Sequence, residues 1–302
     1  ILAHKDGENW DMPAVQKEYA ELPSDEARMC YQMVFTWLTE GDSQAIFLQD
    51  ANTMVLRTEW LLEIVSYVRE RLPEIKRITS YGRANTLAKI SEEDYRALRQ
   101  AGLDRIHSGY ESGSDKVLQL ICKGTTQEEQ IIGGRKVRDA GIELSIYFMP
   151  GVGGRELSDD NALETAKVIN AVDPDFVRLR TFVLRTGSLM EEVRAAGNYT
   201  EETDMEKLLE IRKLIANIDP AKARGRITSD HIINLLQEVS GDMDQDIPWM
   251  LSYIDQYLAL PELEQRKYQL ARRMGFPLDW KQLYRLKESD LAYIEDLAKN
   301  TV

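Results

Sequence analysis

Between Arg77 and Glu156 three apolar stretches each run into a polar or glycine-rich turn: RITSYGRAN, RIHSGYESGSD and LSIYFMPGVGGRE. Amphipathic helical segments separate them. A strand that reaches its successor only through a helical crossover pairs with it in parallel. Right-handed crossovers then bring every turn that follows a strand to one end of the sheet, where α/β enzymes bind ligands. Tyr81, Arg83, Glu111, Ser112, Gly113 and Arg155 are therefore predicted to gather around one pocket.

The same rhythm extends in both directions. Strands are predicted to start near residues 45, 77, 105, 143 and 175, a β/α wrap that closes wholly or partly into a barrel. Ser24 opens a helix to about Glu40 with Met29, Tyr31, Val34, Phe35 and Leu38 as its buried stripe, and Gly41-Asp42 ends it. Thr58 is a candidate N-cap for a helix over Glu59–Arg71, and further helices are predicted at 91–102, 126–140 and 158–172. The helix before Ala45 implies a preceding strand that the chain does not clearly contain. Past Leu184 the pattern changes. Glu201–Ile218 reads as a long helix, Lys222–Arg226 as a small basic turn, and the chain from Ser229 as mostly helical.

Hydrophobic content of 43% over 302 residues suits one large α/β domain with an appendage. With 51 acidic against 38 basic residues, the net charge of −13 disfavours a nucleic-acid backbone as partner. Cys30 and Cys122 do not make a disulfide framework, and a cytoplasmic location is the simpler expectation. No apolar run approaches the roughly 20 residues a membrane helix needs.

Gly109–Asp115 (GYESGSD) places a carboxylate, hydroxyls and a glycine at a strand end, which suits a ribose or similar polyol; equally, Ser112 or Ser114 could cap the next helix. Met149–Glu156 has three glycines, which let backbone approach a ligand closely. It has neither dinucleotide-fingerprint spacing nor a P-loop lysine. Arg155 could clamp a carboxylate or pair with Glu156 or Asp159; Arg83 carries the same ambiguity. Arg178 and Arg180 alternate with apolar neighbours and, in a parallel strand flanked by helices, are expected to face the barrel lumen. His4, His107 and His231 are too scattered for a metal site. His107 reads as a satisfied core residue, and His231 as either a helix-start residue or a pocket residue.

The stretches FLQDANTM, SYGRANTL, GLDRIHSGYESGSDKVLQLICKG, GIELSIYFMPGVGGRE and VDPDFVRLRTF resemble the radical S-adenosylmethionine family, closest to the branch of oxygen-independent coproporphyrinogen oxidases. The resemblance runs over about 44–189 and continues weakly through Ser229-Asp230-His231. It implies a partial (β/α)6 barrel over residues 1–226 with a helical extension over 227–302. It also implies a bound S-adenosylmethionine, a [4Fe–4S] cluster, a small-molecule substrate and a reductant such as flavodoxin or ferredoxin. Gln49, Asp50, Ala51 and Asn52 fall where the family binds the methionine amino group. Glu111 and Ser112 fall at the ribose, Arg83 and Arg155 are candidates for the methionine carboxylate, and Arg180 joins the cofactor set.

Two departures stand out. The methionine-binding turn has lost its glycines, and the CxxxCxxC motif that holds the cluster is absent from the chain. That motif is expected at or just before Ile1. The rival expectation is a relative without a cluster that binds ligands or regulates.

Overall fold

The computed structural model describes residues 1–7, 9–40, 44–276 and 279–300; the helix stop expected at Gly41-Asp42 lies outside them. A two-stranded hairpin, β1 (Lys5–Asp6) and β2 (Asn9–Trp10), opens the chain. The main sheet holds β3 (Ala45–Leu48), β4 (Arg77–Tyr81), β5 (Arg105–Glu111), β6 (Glu143–Phe148), β7 (Phe176–Leu179), β8 (Arg226–Thr228) and β9 (Gly241–Asp242), in that spatial order. β3 to β8 are parallel to one another, and β9 closes the row antiparallel to β8. This is the α/β partial barrel that the crossover pattern requires.

The two faces of the sheet differ because side chains alternate along a strand. In β6, Leu144, Ile146 and Phe148 are fully buried, and in β5 the Tyr110 hydroxyl donates to the Gln130 carbonyl 2.8 Å away in the helix Gln127–Asp139. Those residues face the helical layer, and each of the three apolar ones contributes about 1.5–3 kcal/mol by leaving water. Arg105, His107, Ser145, Tyr147 and Arg178 point the other way, onto a concave polar and aromatic face.

Register is fixed by one device used twice. Asp104, just before β5, accepts from the Ile78 N–H of β4 at 2.7 Å; Asp175, just before β7, accepts from the Leu144 N–H of β6 at 2.8 Å. Helix starts follow the sequence chemistry. Ser91 accepts from Asp94 N–H, and Thr126 with Glu129 and Thr203 with Glu206 form complete capping boxes.

Several element boundaries and faces differ from expectation. The basic turn expected at Lys222–Arg226 ends one residue early, because Arg226–Thr228 is the sixth parallel strand, and the domain division expected at 226/227 falls inside that strand. Three residues were too short a run to stand out. After it, 229–240 is turn and loop, and the C-terminal helices begin only at Ile247. The long helix spans Asp204–Ala216, because Thr203 caps it. The strand expected over 175–183 ends at Leu179. Finally, the helix Asp25–Glu40 buries only Tyr31, whose hydroxyl donates to Glu18 at 2.8 Å; Met29 and Val34 lie in the open.

Candidate functional site

The turns at the C-terminal ends of β4 to β8 enclose a cleft of ≈ 640 Å³, the size class of small-molecule sites. Tyr81, Glu111, Tyr147 and Met149 form its floor. Arg180, Arg185 and His231 supply polar groups on the far side, and Ile121, Phe182, Val183, Leu189, Met190 and Ile233 supply an apolar rim.

Glu111 ends β5 in the left-handed region at φ 62°, which turns its carboxylate into the cleft. Lys123 donates to it at 3.0 Å. Arg180 continues the edge two strands away: its backbone N–H donates to Phe148 O at 2.8 Å, and its guanidinium lies 5.4 Å from the Tyr147 ring centre. Asp230 binds both Arg180 (2.7 Å) and Arg178 (3.0 Å), so one carboxylate serves two cations. Burial pushes the Asp230 carboxyl up, but the Arg180 hydrogen bond and both arginine charges outweigh it and the net direction is down. Asn234 holds this turn in place. Its amide donates to Leu179 O and Ser229 Oγ, while its carbonyl oxygen accepts from Thr181.

Below the floor, Phe47, Tyr81, His107 and Tyr147 form a continuous aromatic row. Phe47 stacks on His107 at 5.5 Å and His107 on Tyr147 at 5.8 Å. The Tyr147 hydroxyl lies 3.3 Å from His107 Nδ1. Burial first, then the charges of Arg178, Arg105, Arg77 and Arg180, lower the His107 pKa to about 4, so the ring is neutral at pH 7. His231 is likewise shifted down, by burial and by Arg180, and its Nδ1 is buried without a hydrogen-bond partner.

The residues expected to converge divide into three groups. Tyr81, Glu111 and Arg180 line the cleft. Gln49, Asp50, Ala51 and Asn52 sit at the tip of β3, outside the lining, and serve the turns. Asp50 accepts from Ala51 N–H at 2.6 Å, and Asn52 accepts from Arg83 N–H at 2.8 Å and donates to Thr86. Arg83 itself donates to Lys123 O at 2.6 Å, bracing the loop that carries the lysine paired with Glu111. Ser112, Gly113 and Arg155 are not brought to the cleft. Ser112 is fully buried with its Oγ accepting from Ser114 N–H, and a Cβ on Gly113 would meet Glu164 O at 2.6 Å. Of the two candidate caps, Ser114 takes the role.

Arg155 lies behind the β6 turn and pairs at 2.8 Å with Glu206, not with Glu156 or Asp159. The glycines of that turn admit the protein's own helix rather than a ligand: Gly151 is at φ +82°, and a Cβ there would meet Lys207 at 2.6 Å. Buried Glu210 accepts from Gly151 N–H and from the Asn161 amide, both at 2.9 Å. Burial, reinforced by neighbouring Glu202, pushes the Glu210 carboxyl up to about 8. Glu202 is raised too, by burial and then Glu206.

Sequence reasoning missed Phe47, Tyr147, Arg185 and Asp230 as site residues, treated His107 as core, and left His231 open. A signal existed for some of them: strict alternation puts Tyr147 on the same face as His107 and Arg178. The pairing of Asp230 with β7 depended on recognising β8.

Residues 42–167 match the sequence model of the radical SAM superfamily. The chain is similar to that superfamily over this stretch, which holds the strands β3 to β6. Among its relatives, the tRNA uridine(34) acetyltransferase of Methanocaldococcus jannaschii is 24% identical over 141 residues, covering 46% of this chain and 26% of that protein. An uncharacterized methyltransferase of Pyrococcus horikoshii is 23% identical over 198 residues, 66% of this chain and 40% of that one. Among solved structures, the Methanocaldococcus infernus Elp3 with an N-terminal deletion superimposes with a TM-score of 0.49 at 17% identity over 68% of this chain and 52% of that one. Coproporphyrinogen III oxidase of Escherichia coli gives 0.45 at 15% over 57% and 39%. The chain thus spans well under half the length of the sequence relatives it matches.

A radical SAM cluster is held by three thiolates, and the 302 residues contain two cysteines. Cys30 lies on the exposed side of the helix Asp25–Glu40 and Cys122 in the turn after Asp115–Leu120. The donor set of this chain does not fit a [4Fe–4S] cluster. The cleft itself presents a carboxylate at a strand tip and the half-buried rings of Tyr81 and Tyr147, with the buried, unpartnered His231 Nδ1 beside them.

Proposed function

We propose that this chain is the S-adenosylmethionine-binding barrel of a radical SAM enzyme and that the cleft at the C-terminal ends of β4 to β8 is the cofactor and substrate site. What carries the reading is the convergence of Tyr81, Glu111, Tyr147 and Arg180 on one cleft at the sheet end where the superfamily places its cofactor. With cluster ligands supplied from outside these 302 residues, S-adenosylmethionine bound here would supply radical chemistry. The residues of this chain contribute binding and shielding. Glu111, fixed by Lys123, accepts from ribose hydroxyls, Tyr81 and Tyr147 give aromatic faces, and Arg180 forms the cationic far wall. The rim from Ile121 to Leu189 excludes water. Asp50, Asn52 and Arg83 act at the entrance, by bracing the turns. Ser112 and Arg155 act through packing and a surface ion pair.

The substrate stays unassigned by kinship: the first relatives act, by their names, on tRNA uridine 34, and the net charge of −13 opposes an RNA partner here. A reductant such as flavodoxin or ferredoxin and a cytoplasmic setting belong to the same proposal. The cysteine count favours a second reading, a barrel that binds S-adenosylmethionine without radical chemistry. Anaerobic reconstitution of the complete gene product with iron and sulfide separates the two. About four irons per chain and a reduced-state EPR spectrum that changes on adding S-adenosylmethionine are expected for the enzyme; cofactor binding without iron selects the second reading.

A further inference from the structure

The charge in the cleft runs opposite to that of the chain. The ionisable residues lining it are Glu111, Arg180 and Arg185, with His231 held toward its neutral form. Glu111 is matched by Lys123. Arg180 shares the single carboxylate of Asp230 with Arg178, so that pair of cations is half neutralised. Arg185 is exposed and, among the described residues, has no ion-pair partner. A protein of net charge −13 therefore concentrates an excess of positive charge on one wall of this cleft. Such a wall focuses an anion, and does so more strongly where apolar surroundings thin the water.

The rest of the wall describes the remainder of the ligand. Phe182, Val183, Leu189, Met190 and Ile233 stand around the two arginines and are apolar. Val183, Leu189 and Ile233 are 44%, 45% and 47% exposed, so the rim offers open apolar surface beside the arginines. An RNA needs a basic track several phosphates long, and the cleft provides only these two arginines beside an otherwise acidic chain. The geometry fits a small molecule with one charged end.

Resting on the proposed cofactor cleft, we infer that its Arg180–Arg185 wall receives a substrate with an anionic head, carboxylate or phosphate, and an apolar body laid on the Phe182–Met190 rim. The head binds the free face of Arg180 and the unpaired guanidinium of Arg185. This divides the cleft, with the nucleoside at Tyr81 and Glu111 and the substrate about 10 Å across, two strand spacings away.

Titration calorimetry on the 302-residue chain tests this with hexyl phosphate, hexanoate, hexanol and inorganic phosphate, and separately with S-adenosylhomocysteine. Expected is binding of at least one alkyl anion tenfold or more tighter than hexanol, weakening as salt is raised. The preferred head names the substrate class. Arg185→Gln, an exposed and unpaired position whose loss leaves folding intact, weakens that anion about five- to fiftyfold while S-adenosylhomocysteine binds as before. Equal affinity for hexanol, no binding of either alkyl anion, inorganic phosphate binding as tightly as hexyl phosphate, or indifference to Arg185→Gln overturns the inference. S-adenosylhomocysteine binding reports separately on the cofactor reading: retained with no anion preference, it leaves that reading standing; lost, it removes that reading whatever the anions do.

Discussion

Two buried ionisable groups sit on opposite sides of the sheet and are both uncharged near neutral pH for opposite reasons. His107, on the concave face, is surrounded by Arg77, Arg105, Arg178 and Arg180, and burial plus that cationic field keeps the proton off. Glu210, behind the β6 turn, has Glu202 beside it, and burial plus that negative charge keeps the proton on. The first environment holds Arg178 and Arg180 against one shared carboxylate and so keeps a cationic excess for a ligand. The second spends its carboxyl on Gly151 and Asn161 and so shapes the turn that carries Met149 into the cleft. One face is built to receive something from outside; the other is built to hold a loop.

The largest effect that would test this contrast is at Glu210. Glu210→Ala orphans two buried donors and is expected to cost about 2–4 kcal/mol at any pH. Glu210→Gln keeps an acceptor for both donors and removes the titration. Because the folded pKa of Glu210 lies above its unfolded value of 4.5, the wild type loses stability as pH rises from about 4.5 through about 8. The glutamine variant should lack that loss and exceed the wild type at pH 9 in denaturant unfolding. A parallel pH dependence in both would show that Glu210 is not the protonated group.

His107 comes next, with the opposite sign. Its folded pKa of about 4 lies below the unfolded 6.5, so stability is intact above pH 6.5 and falls by up to ~3 kcal/mol as pH drops to about 4. His107→Phe preserves the stacking on Phe47 and Tyr147 and should flatten that limb; an unchanged acid limb would contradict the cationic-field account. Asp230→Asn, which leaves Arg178 and Arg180 in mutual repulsion in a partly exposed position, is expected to cost about 1 kcal/mol, read as a lowered urea midpoint. Smallest is Arg155→Ala, which breaks one exposed pair with Glu206 and should cost under ~1 kcal/mol without altering cofactor affinity. A large loss of affinity there would mean that the rear of the β6 turn belongs to the site after all.

The comparison also separates what was legible in the sequence from what was not. The β/α rhythm placed β3 to β7, and with them the sheet end that carries Tyr81, Glu111 and Arg180, because crossover topology is a local property. What a turn faces is not local. The glycines at 151 and 154 read as room for a ligand, yet that room is taken by Lys207 and Tyr199, some 50 residues away in the chain. Arg155 failed for the same reason: its partner Glu206 sits on a helix whose docking position no nearby residue records. Asp230 stayed hidden because the three-residue strand that delivers it has no periodicity to detect.

The central claim is that S-adenosylmethionine chemistry belongs to the concave cleft and not to the acidic region behind it. Crystals of the chain grown with S-adenosylhomocysteine, paired with its affinity for the wild type, Glu111→Gln and Arg155→Ala, test that most directly. The account predicts nucleoside density against Tyr81 and Glu111, a tenfold or greater loss in Glu111→Gln, and no change in Arg155→Ala. Density beside Arg155 and Glu206, or an affinity indifferent to Glu111, would contradict it.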